Sequence, residues 1–133
     1  MSSFKYISSE LFCENVSLAQ IAKDYGTPSY VYSKKAIEEN AKSYVNSFDN
    51  PKNLACFAVK SLSNISILKI IKDMGCGFDI VSGGELHRVM SIGADPKKII
   101  FSGVGKTRKE IEQGIKNNIL SFNVESTSEL YNI

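Results

Sequence analysis

Four side chains between positions 60 and 87 are the ones whose types could do chemistry: Lys60, Asp79, Glu85 and His87. Lys60 closes the apolar run Leu54–Val59 within "LACFAVKSLSN". Lysine is rarely buried without a partner. An amine flanked by Phe57 and Val59 would be partly desolvated, which lowers a lysine's pKa and favours the neutral form that attacks an aldehyde. The plain alternative is a lysine that reaches from a strand end into water. Asp79 interrupts the apolar stretch "GFDIVS", where a carboxylate costs free energy unless it is paired or serves a site. Lys60 on the neighbouring strand is a natural partner, and a capping or purely structural aspartate is the alternative. Glu85 falls in the first turn of a helix, a position the helix dipole favours. His87, the single histidine, lies opposite the inward side of that helix and reads as solvated.

Two glycine motifs fail as phosphate sites. "SGVGKT" (Ser102–Thr107) resembles the end of a P-loop, but that motif needs glycine at position 100, which is Ile100. The dinucleotide fingerprint fails as well. Gly75-Cys76-Gly77 is followed three residues on by Ile80, and Gly103-Val104-Gly105 by Arg108.

The elements that must position these groups follow from pattern. Leu54–Val59, Gly77–Ser82, Lys98–Gly103 and Ile119–Ser126 read as strands that start about 22 residues apart. Helices separate them, with Ile67, Leu68, Ile71 and Met74 inward in the first, Leu86, Val89 and Met90 in the second, and Ile111 and Ile115 in the third. Ser63 or Asn64 caps the first helix. Thr107–Glu110 forms a capping box, and Ser126 or Thr127 opens a further helix. Upstream, Ser17–Gln20 caps a helix with Leu18, Ile21, Ala22 and Tyr25 on one side. Gly26 stops it, and Pro28–Ser33 ("PSYVYS") reads as a strand. A helix from Ser33 places Ile37, Ala41, Tyr44, Val45 and Phe48 together, and Asp49–Pro51 breaks it.

Four strand–helix alternations imply parallel strands with right-handed crossovers. A (β/α)8 barrel and an open doubly wound sheet both fit. A whole barrel takes about 250 residues, so 133 residues with four units are at most half of one.

Composition narrows the function classes. The chain is 43% hydrophobic and 23% charged, in the ordinary globular range. Its 16 basic and 14 acidic residues are interspersed for a net charge of +2, which gives no stripe for nucleic acid and no polybasic membrane patch. The first ten residues lack the apolar core of a signal peptide, and no apolar run reaches the ~20 residues that span a bilayer. Cys13, Cys56 and Cys76 lack the spacing of a zinc or redox pair. The expectation is a cytoplasmic protein with free thiols and no metal.

Taken together, "FAVKSLSN", "GCGFDIVSGGEL", "KIIFSGVGKT", "EIEQGI" and "SFNVESTSEL" resemble diaminopimelate decarboxylase, of the pyridoxal-phosphate-dependent, alanine-racemase-like barrel decarboxylases. "YGTPSYVYS" is similar to that family's opening segment. The resemblance runs from about Leu18 to Leu130. It implies an α/β fold, the N-terminal part of a TIM-like (β/α)8 barrel preceded by a short helix–strand segment. Residues 1–33 would join the family's β-domain, and residues 34–133 would form an incomplete pyridoxal-phosphate-binding barrel.

The resemblance further implies that Lys60 carries pyridoxal 5'-phosphate as a Schiff base, with Asp79 near it in the cofactor site. It implies decarboxylation of meso-diaminopimelate to L-lysine with release of carbon dioxide, the last step of lysine biosynthesis, by a homodimer when full length. Glu85 lies in the matching "GGE". One departure is Ser61-Leu62 where the family has a small alanine and then asparagine. The family's ring-stacking histidine, glycine-rich phosphate loops and dimer-contributed cysteine have no counterpart in these residues. The expectation is therefore an N-terminal part of the enzyme, inactive alone. Decarboxylases of ornithine, arginine or carboxynorspermidine share the barrel and lysine, and outside catalysis the alternatives are a non-catalytic pyridoxal-phosphate-binding protein and a small doubly wound regulatory domain without cofactor.

Overall fold

In the computed structural model, which describes residues 3–47 and 53–133, a pair of left-handed serines sets the first turn. Ser8 and Ser9 have φ of 48° and 67°, the mirror-image turn whose twist suits a two-residue hairpin. They join β1 (Phe4–Ile7) to β2 (Glu10–Cys13) in antiparallel register, Phe4 opposite Cys13 and Ile7 opposite Glu10. β3 (Val16–Ser17) completes a three-stranded sheet. Ser17 caps α1 (Leu18–Tyr25) by accepting the Gln20 N–H at 3.1 Å. The Gln20 side chain donates to Asp24 instead of returning to the cap, and Tyr25 is exposed.

The strand expected over Pro28–Ser33 does not form. The first sheet consists of β1, β2 and β3, and Tyr30 stands 90% exposed. Aromatic and β-branched content favours a strand only where a neighbouring edge accepts it, and none does among the described residues. The opening segment is thus sheet followed by helix. Ser33 starts α2 (Lys34–Val45) by accepting the Ala36 N–H at 3.0 Å, and it donates to Glu14 Oε1 at 2.7 Å. The Lys35 N–H and then the Ser33 hydroxyl hold the Glu14 carboxyl below the usual range. Of the face expected inward on α2, Ala41 is buried while Tyr44 and Val45 are exposed. Phe48 and the Asp49–Pro51 break lie outside the described residues. The chain divides into two compact units, residues 1–40 and 41–133.

In the second unit, β4 (Cys56–Ala58), β5 (Gly77–Ile80), β6 (Ile99–Phe101) and β7 (Ser121–Phe122) form a parallel sheet in chain order. That order decides between the two architectures. A doubly wound sheet reverses its strand order to put helices on both sides, whereas successive right-handed crossovers without reversal keep every helix on one side. The sheet is wound in one direction, as a barrel requires. Its crossover helices are α3 (Ile65–Asp73), α4 (Gly83–Ser91) and α5 (Arg108–Lys116), and α6 (Thr127–Asn132) follows β7.

The caps are those the sequence spacing predicts. Asn64 accepts the Ser66 and Ile67 N–H groups, and Thr107 and Glu110 form a reciprocal capping box. The strands are shorter than the apolar runs that mark them, because their outer residues turn into loops once pairing ends.

Alternate strand residues split the sheet into two faces. Phe78, Ile80, Ile99 and Phe101 are at most 1% exposed, and they share the core with Leu68, Leu86, Val89 and Ile111 of the helices. Phe101 and Phe122 stack at 5.8 Å. α5 comes close to β7 at Gly114, where a Cβ would lie 2.5 Å from Phe122 Cζ. This explains a misplaced residue: Ile111 and Gly114 face inward, and Ile115, expected inside, is 52% exposed.

Candidate active site

The second face of the sheet carries different chemistry. The register pairs Cys56 with Gly77, Ala58 with Asp79, Asp79 with Ile100, and Ile100 with Ser121, so these residues share that face. Asp79 is half-buried, and its Oδ1 is buried with no hydrogen-bond partner. Burial, and after it the Asp79 carboxylate, pushes the Cys56 thiol up, as expected of two groups on one face of adjacent strands. Gly77 is required by space: a Cβ there would collide with the Lys98 carbonyl.

Lys60 stands at the carboxyl edge of this sheet. It lies two residues beyond Ala58, the register partner of Asp79. The backbone has already left the strand for a 3-10 turn, Val59–Ser61, tied by Leu62 N–H to Val59 O at 3.1 Å and by Ser61 Oγ to Ala58 O at 2.7 Å. Val59 is fully buried, while Lys60 points out of the core and is exposed. The desolvation expected from Phe57 and Val59 is not realised, because Lys60 lies in the exposed 3-10 turn and not within the strand. Among the described residues no hydrogen bond or ion pair engages Lys60, and the expected Lys60–Asp79 pair is not formed. The structure brings both to one sheet edge and leaves each without a partner among the described residues.

The remaining candidates have local duties. Glu85 accepts the Val81 N–H at 2.7 Å, while Ser82 Oγ accepts the Glu85 N–H at 3.2 Å. Glu85 thus fastens the loop that follows Asp79. His87 is exposed on α4 and borders a groove of about 160 Å³ with Gly83, Leu86, Gln113 and Asn117, on the helical side.

Sequence reading missed the groups that hold the rim. Glu110 Oε1 accepts the Gly83 N–H at 2.8 Å, which ties the β5–α4 loop to the start of α5. That bond, followed by those from the Thr107 N–H and hydroxyl, keeps the Glu110 carboxyl below the usual range. A repeat carries a usable signal. Phe78-Asp79-x-x-Ser82-x-x-Glu85-Leu86 matches Phe122-Asn123-x-x-Ser126-x-x-Glu129-Leu130. The two copies fold alike: Ser126 caps α6 by accepting the Glu129 N–H at 3.1 Å, and Glu129 Oε2 accepts the Glu125 N–H at 2.9 Å.

A one-directional parallel sheet with an exposed lysine and a carboxylate oxygen unpartnered among the described residues at its carboxyl edge has the form of a barrel segment, a fold that places its ligands at that edge. The chain belongs to the pyridoxal-dependent decarboxylase family: residues 34–133 match the family model described as "Pyridoxal-dependent decarboxylase, pyridoxal binding domain". It is similar to the diaminopimelate decarboxylases of Pseudomonas aeruginosa (47% identical over 130 residues, 98% of this chain and 31% of the relative) and Haemophilus influenzae (47% over 133 residues, 100% and 32%). The solved diaminopimelate decarboxylase of M. jannaschii in co-complex with L-lysine superposes with a TM-score of 0.89 at 33% identity, over 98% of this chain and 31% of that one. The chain therefore spans about a third of the length of these relatives.

The residues present fit a pyridoxal group. An amine without a partner is what an aldehyde requires, and Asp79 Oδ1 is a buried acceptor that lacks a donor.

Proposed function

We propose that this chain is the cofactor-binding part of an enzyme that decarboxylates meso-diaminopimelate to L-lysine and carbon dioxide, with residues 34–133 as the barrel portion and residues 1–33 as the segment that meets a further domain. The observation that carries this reading is the free amine of Lys60 at the same sheet edge as the orphaned Asp79 Oδ1. The 47% identity to diaminopimelate decarboxylases supports the substrate, and the L-lysine bound by the M. jannaschii relative supports the product.

Lys60 would hold pyridoxal 5'-phosphate through its Nζ, and Asp79 would accept a hydrogen bond on the cofactor side of the sheet. When bound, the cofactor supplies an electron sink for the pair left as carbon dioxide departs. Lys60 acts here as a nucleophile, which requires its neutral amine. The 3-10 turn fixes where that amine starts, since the Val59 carbonyl accepts the Leu62 N–H and the Ala58 carbonyl accepts the Ser61 hydroxyl. Once its Nζ is free of the cofactor, the same amine can carry a proton to or from a neighbouring carbon. Asp79 takes no proton in this scheme and orients the site. Glu85 and Glu110 keep the loop after Asp79 in place through the Val81 and Gly83 N–H groups.

The test uses the full-length enzyme that contains this chain. Carbon dioxide release from meso-diaminopimelate and the cofactor's lysine-linked absorbance are both expected, and Lys60→Ala is expected to lose both. Absorbance retained in Lys60→Ala would contradict the reading.

A further inference from the structure

Lys106 is a buried charge that the proposed chemistry does not use. Its side chain is fully buried, and its three ammonium protons meet three acceptors: Gly103 O at 2.7 Å, Asn123 O at 2.7 Å and Glu129 Oε1 at 2.5 Å. The Phe101 ring centroid lies 6.0 Å away. A buried ammonium persists only when it is fully partnered, and this one is. Its partners belong to three places: the loop after β6, the end of β7 and the first turn of α6. Lys106 therefore sets the spacing between the carboxyl ends of β6 and β7.

Those ends present Ser102 and Asn123. Ser102 N–H donates to Ile80 O at 2.8 Å, and Asn123 N–H donates to Phe101 O at 2.9 Å, so the ladder runs on past the strands. Each lies two residues beyond a residue of the Asp79 face, Ile100 and Ser121, and alternation returns both to that face. Asn123 Nδ2 donates to Ser102 Oγ at 2.9 Å. That bond leaves the Ser102 hydroxyl proton and Asn123 Oδ1 without partners among the described residues. A neutral donor and a neutral acceptor stand side by side at the edge that also bears Lys60. The repeat adds a second, independent pointer, since Asn123 occupies the place in its copy that Asp79 occupies in the other.

Resting on the functional reading above, we propose that Ser102 and Asn123 form a ligand-binding subsite on the rim and that Lys106 is its positioning residue. The subsite takes a group that both donates and accepts hydrogen bonds, a hydroxyl or a neutral amine, carried by the cofactor or by the amino-acid substrate.

The experiment compares Ser102→Ala, Asn123→Ala, Lys106→Met and Lys106→Arg in the full-length enzyme. Pyridoxal phosphate affinity is read by absorbance titration, KM and kcat with meso-diaminopimelate, and thermal melting separately. Ser102→Ala and Asn123→Ala should each weaken one affinity about five- to tenfold, the size of one lost hydrogen bond, with melting unchanged because neither side chain is in the core. A weakened cofactor Kd assigns the group to the cofactor; a raised KM with unchanged Kd assigns it to the substrate. Lys106→Met should shift the same constant while lowering the melting temperature, and Lys106→Arg should restore part of it. The subsite is overturned alone if the wild type is competent and both alanine variants leave Kd and KM within about twofold. A wild type that neither binds the cofactor at Lys60 nor releases carbon dioxide overturns the functional reading, and the subsite with it.

Discussion

The two faces of the parallel sheet are made by the same strands and yet differ in every physical respect. Toward the helices stand Phe78, Ile80, Ile99 and Phe101, nearly all surface removed from water. One residue along in either direction stand Cys56, Ala58, Asp79, Ile100 and Ser121, partly open, with a carboxylate oxygen left unpaired. The helical face secures the fold by apolar burial, which frees the other face to carry groups that cost stability. In a one-directional sheet this division falls on alternate residues, so a shift of one position would exchange core for chemistry.

Substitutions can break this contrast. The largest stability effect should come from Phe78→Ala on the helical face, at about 3–5 kcal/mol from lost burial and the cavity left behind, read by chemical denaturation. Asp79→Asn, the next residue on the opposite face, should not lower stability without cofactor, because Oδ1 has no hydrogen bond to lose. It should weaken cofactor binding instead. A destabilised Asp79→Asn protein would show that the two faces are not divided as described.

A smaller effect concerns acid. Backbone and hydroxyl donors lower the Glu110 pKa, and Lys106 with the Glu125 N–H lowers that of Glu129. A lowered folded-state pKa gives stability that is complete above the unfolded value, about 4.3, and is lost as pH falls through the folded value. Melting should therefore drop below about pH 4.3, and Glu110→Gln should flatten that drop by removing one contributor. The smallest effect should be His87→Ala, within about 0.5 kcal/mol, since His87 is exposed on the helical side away from the site face.

How much of this was legible in the sequence follows the same contrast. The helical face was readable because burial is written as apolar runs and 3.6-residue spacing, and the caps at Asn64, Thr107 and Ser126 because they use the residues such caps need. Lys60 and Asp79 stood out because each breaks an apolar run. Other features left no such mark. The β1–β2 hairpin turns on Ser8-Ser9, not on the Asn-Gly pair that announces such turns, and β1 is exposed along its length. Propensity placed a strand over Pro28–Ser33, where no edge receives it. Lys106 stands in a failed phosphate motif, where nothing marks it for burial, and only the convergence of Gly103, Asn123 and Glu129 in space explains it. The exposure of Lys60 came from a 3-10 turn that periodicity does not encode.

The most direct measurement is chemical mapping of the cofactor linkage. Full-length enzyme loaded with pyridoxal phosphate would be reduced with borohydride, digested and sequenced by mass spectrometry. The label is expected on Lys60 alone; a label on Lys69, Lys106 or any other lysine would contradict the assignment.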